Sequence, residues 1–295
     1  KRREHRLEAL GVVLEGAEKI PREPVIFAMN HTDRYNYWPF MLEHWRQHGR
    51  FIATWVKGKY YERPSVGFFM ELTNNIPTVS RGYIITRDLI STLARRPTDE
   101  EYRALRDWVD ATAAGGRRDP PAEAPRVGLR RFDPGRESYA AAIDAVFRAM
   151  MRRFVALNEE ASALGLDLLI FPQGTRSKRM LPGRPGLSQI AMHLERPVVP
   201  VGCSGSDRCY PSGSPIARPG EIVYPFGEPR RRADAAAWVE RGTFEPFTAA
   251  AERDHAAAFS AYVDDVMARI EPLVDPEYRF ADDADTEFKG SHRFV

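Results

Sequence analysis

Short apolar segments alternate with amphipathic segments of helical length along most of this chain, and this alternation limits the folds open to it. A short apolar run bounded by turn residues is typical of a buried strand, whereas apolar residues at helical spacing indicate a helix. Predicted strands cover residues 25–29, 51–56, 74–82, 167–171 and 197–202. Predicted helices cover residues 37–48, 99–113, 137–164, 186–193 and 246–272. Strands that alternate with helices predict an α/β fold, with a mostly parallel sheet and helices on both of its faces.

The same pattern predicts a single domain over residues 1–295. Its core covers about 20–230, and a helical extension follows at about 231–295. Between about 83 and 136 the sequence holds clusters such as Gly115-Gly116 and Pro120-Pro121, which interrupt long elements. We therefore expect an insertion in the core at this place.

Composition excludes several classes of protein. The chain has 295 residues, of which 43% are hydrophobic, so it can bury a substantial core and is not a disordered protein. Lysine and arginine together number 43 against 41 acidic residues, a balance that indicates no general affinity for nucleic acid. Arginine far outnumbers lysine. Genomic base composition would explain this, although arginine also binds oxyanions at two points, which lysine does not.

Two further features bear on localisation. No apolar run approaches the roughly 18 residues that a membrane-spanning helix needs, and the first residues do not resemble a signal peptide. Cys203 and Cys209 form one close pair, too few for a disulfide scaffold and without the partners of a zinc site. We expect reduced thiols in a cytoplasmic protein that is soluble or lies on a membrane surface.

Polar residues follow three of the predicted strands. They are Asn30-His31 after the first strand, Arg81-Gly82 at the end of 76–82, and the sequence Phe-Pro-Gln-Gly-Thr-Arg-Ser at 171–177. Ligands of open α/β sheets bind at the carboxyl ends of the strands. The three segments therefore predict one site, at that edge of the sheet.

These segments resemble the motifs of the glycerolipid acyltransferase family, which includes bacterial 1-acylglycerol-3-phosphate acyltransferase. The family shares His-x4-Asp, an arginine-bearing second motif, Phe-Pro-Glu-Gly-Thr-Arg-Ser and a proline-containing fourth motif, which resembles residues 198–202 here. The resemblance covers roughly residues 24–229. Two positions depart from it, and each replaces a carboxylate by an amide: Asn36 stands where the family has Asp, and Gln173 stands where it has Glu.

The resemblance implies a role for each matching residue. His31 would be the general base that takes the proton of an acceptor hydroxyl. Asn36 would orient His31, or would only begin the following helix, in which case Asp33 is the alternative source of a carboxylate. The residues implied to bind the acceptor are Arg81, Gln173, Gly174, Thr175 and Arg176. For the two arginines a structural ion pair is the alternative, and for His31 a purely structural role.

The implied activity is transfer of a fatty acyl group to a hydroxyl of a lysophospholipid or related lipid. The donor would be acyl-CoA or acyl carrier protein, and no metal or other cofactor is implied. We expect the protein on the inner face of the membrane, in contact with lipid. Most of the aromatic residues in and after the first motif would lie in the core, and some would line an acyl-chain groove or rest at the bilayer interface. These residues are Tyr35, Tyr37, Trp38, Phe40, Trp45, Tyr60, Tyr61, Phe68 and Phe69. Because both carboxylates are missing, a lipid-binding or carrier-binding pseudoenzyme is the alternative.

Overall fold

The structure is a computed structural model that describes residues 10–113 and 137–280. Its strands are β1 (Leu10–Glu15), β2 (Ile26–Met29), β3 (Ile52–Lys57), β4 (Asn75–Thr78), β5 (Asp167–Ile170), β6 (Val198–Val201) and β7 (Gly220–Pro225). Its helices are α1 (Tyr37–His48), α2 (Pro64–Leu72), α3 (Arg81–Leu93), α4 (Asp99–Ala113), α5 (Tyr139–Ala163), α6 (Gly186–Leu194), α7 (Ser206–Cys209) and α8 (Ala249–Ile270).

The larger sheet has the strand order β4-β3-β5-β2-β6. Strand β2 pairs in parallel with both β5 and β6, and β3 pairs in parallel with β5. Every residue of β2, β5 and β6 is buried, which requires cover on both faces of the sheet and explains why these strands are apolar except for Asp167 at the start of β5. Helices flank the parallel strands, and the predicted α/β class is confirmed.

The two prolines of the sheet fit its strand order. Pro77 lies in β4 and Pro200 lies in β6, and these are the two edge strands. Proline has no N–H to donate to a neighbouring strand, so it is tolerated at an edge and not in the middle of a sheet. The predicted strand at 74–82 is shorter than expected, because Ser80 caps helix α3 and accepts a hydrogen bond from the backbone N–H of Tyr83.

A second, two-stranded sheet pairs β1 with β7 in parallel, from Leu10 opposite Gly220 to Glu15 opposite Pro225. Sequence analysis predicted neither strand. Residues 10–14 are apolar like the central strands, but each residue of β1 is only partly buried or exposed. The pairing also joins segments about two hundred residues apart, which no local pattern indicates.

The chain forms two compact units. Among the described residues, the first unit comprises 10–55, 158–245 and 254–280, and the second comprises 56–113, 137–157 and 246–253. Helices α3 and α4 occupy the start of the predicted insertion, and residues 114–136 lie outside the described ranges. The prediction of one domain stays a prediction, since this division describes compactness and not independent folding.

Packing in the first unit fixes helix α1 against the sheet. Phe27 of β2 meets Phe40 of α1 edge-on, with ring centroids 5.2 Å apart, and both rings are fully buried. Near the other end of α1, Nε2 of His44 lies 2.8 Å from Oδ2 of Asp167, the first residue of β5. Oδ1 of Asp167 accepts a hydrogen bond from the backbone N–H of Val25. These contacts hold the amino end of α1 at the carboxyl end of β2.

Candidate active site

Asn30 joins the ends of two neighbouring strands. Its side-chain amide donates to the carbonyl oxygen of Cys203 at 3.0 Å and accepts from the backbone N–H of Cys203 at 2.7 Å. Asn30 follows β2 and Cys203 follows β6, so this two-point contact fixes the position at which the chain leaves β2. The side chain is buried, and both of its hydrogen-bonding groups are satisfied. His31 is the next residue and is partly exposed.

The Asn36 amide faces His31. Oδ1 of Asn36 lies 3.2 Å from Nδ1 of His31, and Nδ2 of Asn36 donates to the carbonyl oxygen of Asn30 at 3.1 Å. The carbonyl can only accept, so the amide nitrogen must face it and the amide oxygen must face the imidazole. An oxygen at Nδ1 requires the proton of neutral His31 to be on Nδ1. The lone pair is then on Nε2, the nitrogen that would act as a base.

Asn36 is itself held in place. It is fully buried at the amino end of α1, and its backbone carbonyl accepts a hydrogen bond from the hydroxyl of Tyr224 at 2.6 Å. Its side chain makes no hydrogen bond to the free N–H groups of α1. Asn36 therefore occupies the helix-start position that the sequence suggested, while its side chain contacts His31 instead of capping the helix.

The loop that follows β5 packs against His31. The rings of His31 and Phe171 are stacked, with centroids 3.9 Å apart and an interplanar angle of 18°. The backbone N–H of Ser177, at the other end of this loop, donates to the carbonyl oxygen of His31 at 2.9 Å. The first and third predicted motifs are thus in direct contact, as the common strand-end position predicted.

Asp33 contacts its own loop. Oδ1 accepts from the backbone N–H of Tyr35 at 2.8 Å, and Oδ2 accepts from the hydroxyl of Thr32 at 2.9 Å. Burial raises the pKa of the Asp33 carboxyl, an effect that these hydrogen bonds partly oppose. Asn36, and not Asp33, supplies the oxygen recorded at Nδ1 of His31. Asp33 therefore shapes the turn that leads from His31 to α1.

Gln173 is buried in the β5 loop and has one unused acceptor. Its Nε2 donates to the carbonyl oxygen of Thr175 at 3.0 Å, whereas its Oε1 has no hydrogen-bond partner in the described ranges. Gly174 next to it has φ of 68°, a left-handed conformation that favours glycine. A buried acceptor without a donor costs free energy, so Oε1 is an unsatisfied group inside this loop.

Arg176 is exposed, and within residues 10–113 and 137–280 it has no recorded ion-pair partner. The same holds for Arg184, which sequence analysis did not select. A side-chain carbon at Gly174 would lie 3.7 Å from Cγ of Arg184, so the Arg184 stem borders the loop. The backbone N–H of Arg184 donates to the carbonyl oxygen of Pro172 at 2.8 Å. The sequence offered only a turn signal there, because Arg184 stands in a Pro-Gly-Arg-Pro-Gly run.

Arg184 is held in place through its neighbour. A side-chain carbon at Gly183 would come within 2.5 Å of Cγ2 of Val263 and 2.9 Å of Cγ of Met267 on helix α8. Only glycine lets the backbone pack so closely against α8. The backbone that carries Arg184 is therefore fixed both by α8 and by Pro172, which limits where its guanidinium can reach.

Arg81 belongs to the second unit, where it forms an ion pair. Its guanidinium donates to Oδ1 of Asp144 at 2.9 Å and lies over the ring of Phe147, 4.2 Å from the centroid. This is the structural alternative that the sequence left open for Arg81. Its implied contact with the acceptor stays a prediction.

The remaining polar groups near the site do not indicate other chemistry. Cys203 is fully buried, and burial together with the Asp33 charge raises its thiol pKa, so the thiol is protonated and a poor nucleophile. Cys203 and Cys209 are both free. Among the residues that the structure describes, no group of three or more histidine, cysteine and acidic side chains is arranged to hold a metal ion.

The geometry of the first unit thus brings together an imidazole, an amide oxygen at its Nδ1, a buried hydrogen-bond acceptor and exposed guanidinium groups. His31, Asn36, Gln173, Gly174 and Thr175 come from two loops in direct contact, and Arg176 lies in the second of these loops. Such a set is suited to activating a hydroxyl of a ligand that also carries an anionic group.

No family model matches the chain. Over 111 residues it is 34% identical to a 1-acyl-sn-glycerol-3-phosphate acyltransferase from Cocos nucifera, a match that covers 37% of this chain and 32% of that protein. The match thus spans about a third of the length of the curated relative. The chain also aligns with the crystal structure of the 1-acyl-sn-glycerophosphate (LPA) acyltransferase PlsC from Thermotoga maritima, at 18% identity and a TM-score of 0.42, over 90% of this chain and 72% of that one. The 34% identity to the coconut protein confirms the resemblance of this chain to the glycerolipid acyltransferase family.

Proposed function

We propose that the protein transfers a fatty acyl group from a thioester carrier to a hydroxyl of a lysophospholipid or related lipid. The observation that carries the proposal is the contact between His31 and Asn36, because it leaves the lone pair of the imidazole on the nitrogen that would face a substrate. The similarity to a protein named 1-acyl-sn-glycerol-3-phosphate acyltransferase supports this reaction class. The donor is acyl-CoA or acyl carrier protein, which acts as a substrate and not as a bound cofactor.

In the proposed reaction, Nε2 of His31 takes the proton of the acceptor hydroxyl while the hydroxyl oxygen attacks the thioester carbonyl carbon. The new carbon–oxygen bond forms, and the carbon–sulfur bond then breaks. The thiolate that leaves takes the proton from His31, which restores the neutral base. The Asn36 oxygen accepts a hydrogen bond from the Nδ1–H of His31 throughout, so it orients the imidazole without adding a negative charge.

Binding of the acceptor is assigned to the β5 loop. Arg176 meets the anionic head group, and Oε1 of Gln173 accepts a hydrogen bond from a neutral donor of the acceptor. Gly174 and Thr175 shape the loop around it. Nε2 of Gln173 donates one of its two hydrogens to Thr175, whereas Oε1 has no hydrogen-bond partner within the described ranges and can accept. This supports an acceptor that carries a hydroxyl beside its anionic group.

The proposal includes a membrane location, on the inner face. Lysophospholipids partition into bilayers, so an enzyme that acts on them gains from working at the surface. No helix in the described part of the chain is long and apolar enough to cross a membrane. Two buried free cysteines fit a reducing compartment.

The test is thiol release from acyl-CoA in the presence and absence of lysophosphatidic acid. We expect acceptor-dependent release by the protein as it stands, and a loss of at least about a hundredfold in His31→Ala. His193→Ala is the matched control, because this histidine pairs with Glu159 at the surface. Equal activity of His31→Ala and the control would contradict the proposed base.

A second candidate function rests on the two amides. A protein that binds lipid or acyl carrier without turnover would also tolerate Asn36 and Gln173 in place of the carboxylates that the resemblance implies. In that case the same assay gives no thiol release, while lysophosphatidic acid still binds. Equilibrium binding of the lipid, measured beside the activity assay, distinguishes the two functions.

A further inference from the structure

Helix α2 exposes an apolar face. Phe68 is 64% exposed, Leu72 is 66% exposed and Phe69 is 45% exposed. Residues 65, 68, 69 and 72 share one side of a helix by their spacing, and the buried residues Gly67 and Met70 lie elsewhere on it. Three of the exposed large apolar side chains thus occupy a single helix of nine residues. We call this side of the helix, defined by Phe68, Phe69 and Leu72, the α2 face.

The buried part of α2 fixes the helix to its own unit. Gly67 lies close to the backbone of Tyr61, since a side-chain carbon there would be 3.5 Å from the Tyr61 Cα. The Tyr61 hydroxyl donates to the carbonyl oxygen of Asn75. Packing on one side and exposure on the other show that the α2 face is not a frayed end. Exposure of its side chains also argues against a closed acyl-chain groove as their surroundings.

Basic residues lie just before helix α2 in the sequence. Arg63 precedes the helix, is exposed and has no recorded ion pair within the described ranges. Lys57, six residues before Arg63, is also exposed. The acid between them, Glu62, pairs with Arg87 at 3.2 Å, so its charge is compensated. Residues 57–72 together hold three basic and two acidic residues, so α2 and the segment before it carry a formal net charge of +1 next to the exposed apolar groups.

We propose that the α2 face docks onto a bilayer that contains anionic lipids. Aromatic and leucine side chains enter the boundary between head groups and acyl chains, while arginine and lysine attract anionic head groups. A helix of nine residues is far shorter than the roughly 20 residues that span a bilayer, so α2 lies in the interface. The inference rests on the proposed function for its choice of partner, because a lipid acceptor is held in such a bilayer.

The experiment measures partition of the full chain onto phosphatidylglycerol-containing vesicles and onto phosphatidylcholine vesicles by co-sedimentation. We expect Phe68→Ser and Leu72→Ser each to weaken partition by about tenfold. Leu164→Ser and Ile216→Ser are matched controls, because these side chains are 78% and 80% exposed outside α2. Arg63→Gln is expected to weaken partition onto the anionic vesicles and to reduce its salt dependence, while Arg241→Gln, another exposed arginine, is the control.

Several outcomes overturn the inference. One is that the unchanged protein does not partition onto either vesicle, and another is that the α2 variants partition like Leu164→Ser. A third is that Phe68→Ser changes the oligomeric state in light scattering, which would assign the face to a second copy of the chain. A fourth is equal loss of thiol release with bilayer acceptors and with a soluble short-chain acceptor, which would assign Phe68 to an acyl-chain site. Partition needs no turnover, so a chain without acyltransferase activity would still test the docking.

Discussion

The side-chain oxygen of Asn36 lies 3.2 Å from Nδ1 of His31, at the position where the family resemblance places a carboxylate oxygen. The nitrogen of the same amide donates to the carbonyl oxygen of Asn30 at 3.1 Å. Gln173 shows the same arrangement, because its amide nitrogen donates to the carbonyl oxygen of Thr175. Each amide nitrogen thus faces a backbone carbonyl, where a carboxylate oxygen would be repelled. The local backbone is suited to amides at both positions.

Asn36→Ala tests the orienting role of this amide. Without it, neutral His31 loses the acceptor that keeps its proton on Nδ1, and the fraction of imidazole with the lone pair on Nε2 falls. We expect kcat to fall by about a hundredfold while KM for the acceptor changes little, because no substrate contact is removed. Steady-state kinetics of thiol release measures both quantities. A variant in which KM rises and kcat is retained would mean that Asn36 contacts substrate.

Asn36→Asp tests whether the site is adapted to an amide. The new carboxyl would be buried and would lose the donor to the Asn30 carbonyl, so we expect a loss of about 1–3 kcal/mol in unfolding free energy at neutral pH. We expect burial and the facing carbonyl to raise the pKa of the new carboxyl in the folded state more than the hydrogen bond from Nδ1 of His31 lowers it. Between its ordinary pKa and that raised value, the folded chain binds more protons than the unfolded chain, so stability is lost as pH rises.

Denaturant unfolding of Asn36→Asp and of the unchanged protein at pH 5 and pH 8 measures this effect. We expect the difference in unfolding free energy between the two proteins to be larger at pH 8. Asp33→Asn is not a suitable control, because Asp33 holds the adjacent turn. A gap that is the same at both pH values would show that the carboxylate finds another donor, and that the chain accommodates either residue.

The two predicted arginines and Arg184 are expected to respond differently to substitution by glutamine. Arg184→Gln removes an exposed guanidinium beside the β5 loop, so KM for lysophosphatidic acid should rise by about tenfold, with stability within about 0.5 kcal/mol of the unchanged protein. Arg176→Gln should raise KM likewise. Arg81→Gln breaks the ion pair with Asp144 and should lower the unfolding free energy by about 1–3 kcal/mol.

Comparison of an anionic acceptor with a neutral monoacylglycerol acceptor isolates the contribution of the acceptor's charge to KM. The rise in KM for Arg184→Gln should appear with lysophosphatidic acid and be absent with the neutral lipid. Arg241→Gln, an exposed arginine without a recorded ion pair within residues 10–113 and 137–280, is the control and should leave both KM values unchanged. Equal changes for both lipids would mean that Arg184 acts on the shape of the loop and not on charge.

Local sequence signals predicted the strand ends of the site. The apolar run of β2 stops at Asn30-His31, and that of β5 stops at Phe171, so the rule that parallel strands share a carboxyl edge brings these loops together. The contact of Ser177 with His31 is a direct consequence. The sequence left two roles for Asn36, and the structure shows its helix-start position together with the contact to His31. That choice depends on the direction of a side chain, which spacing does not determine.

Long-range pairing explains what the sequence did not predict. Arg81 meets Asp144, 63 residues later, and no local pattern identifies such a partner. Arg184 is recognisable only once the turn of Gly174 brings its stem next to the loop. Strand β1 depends on β7 for its pairing, and the apolar residues of β1 do not identify that partner. In each case the missing information is which distant segment lies nearby. A local sequence pattern predicts a helix or a strand, but it does not predict the partner of that element.

His48, at the end of α1, is expected to make stability depend on pH. Burial lowers the pKa of His48 below its ordinary 6.5, and the neighbouring His44 and Arg50 add to this effect, while Asp167 opposes it. The unfolded chain therefore binds more protons than the folded chain between the lowered pKa and 6.5. Stability contributed by neutral His48 is present above pH 6.5 and is lost as pH falls through the lowered value.

His48→Gln removes this titration while it keeps a polar side chain of similar size. Its unfolding free energy, relative to that of the unchanged protein, should therefore rise as pH falls from 7.5 to 5.5. Urea unfolding at the two pH values measures the difference, and it needs no substrate or membrane. A constant difference would mean that the Asp167 charge compensates the cost of a protonated His48.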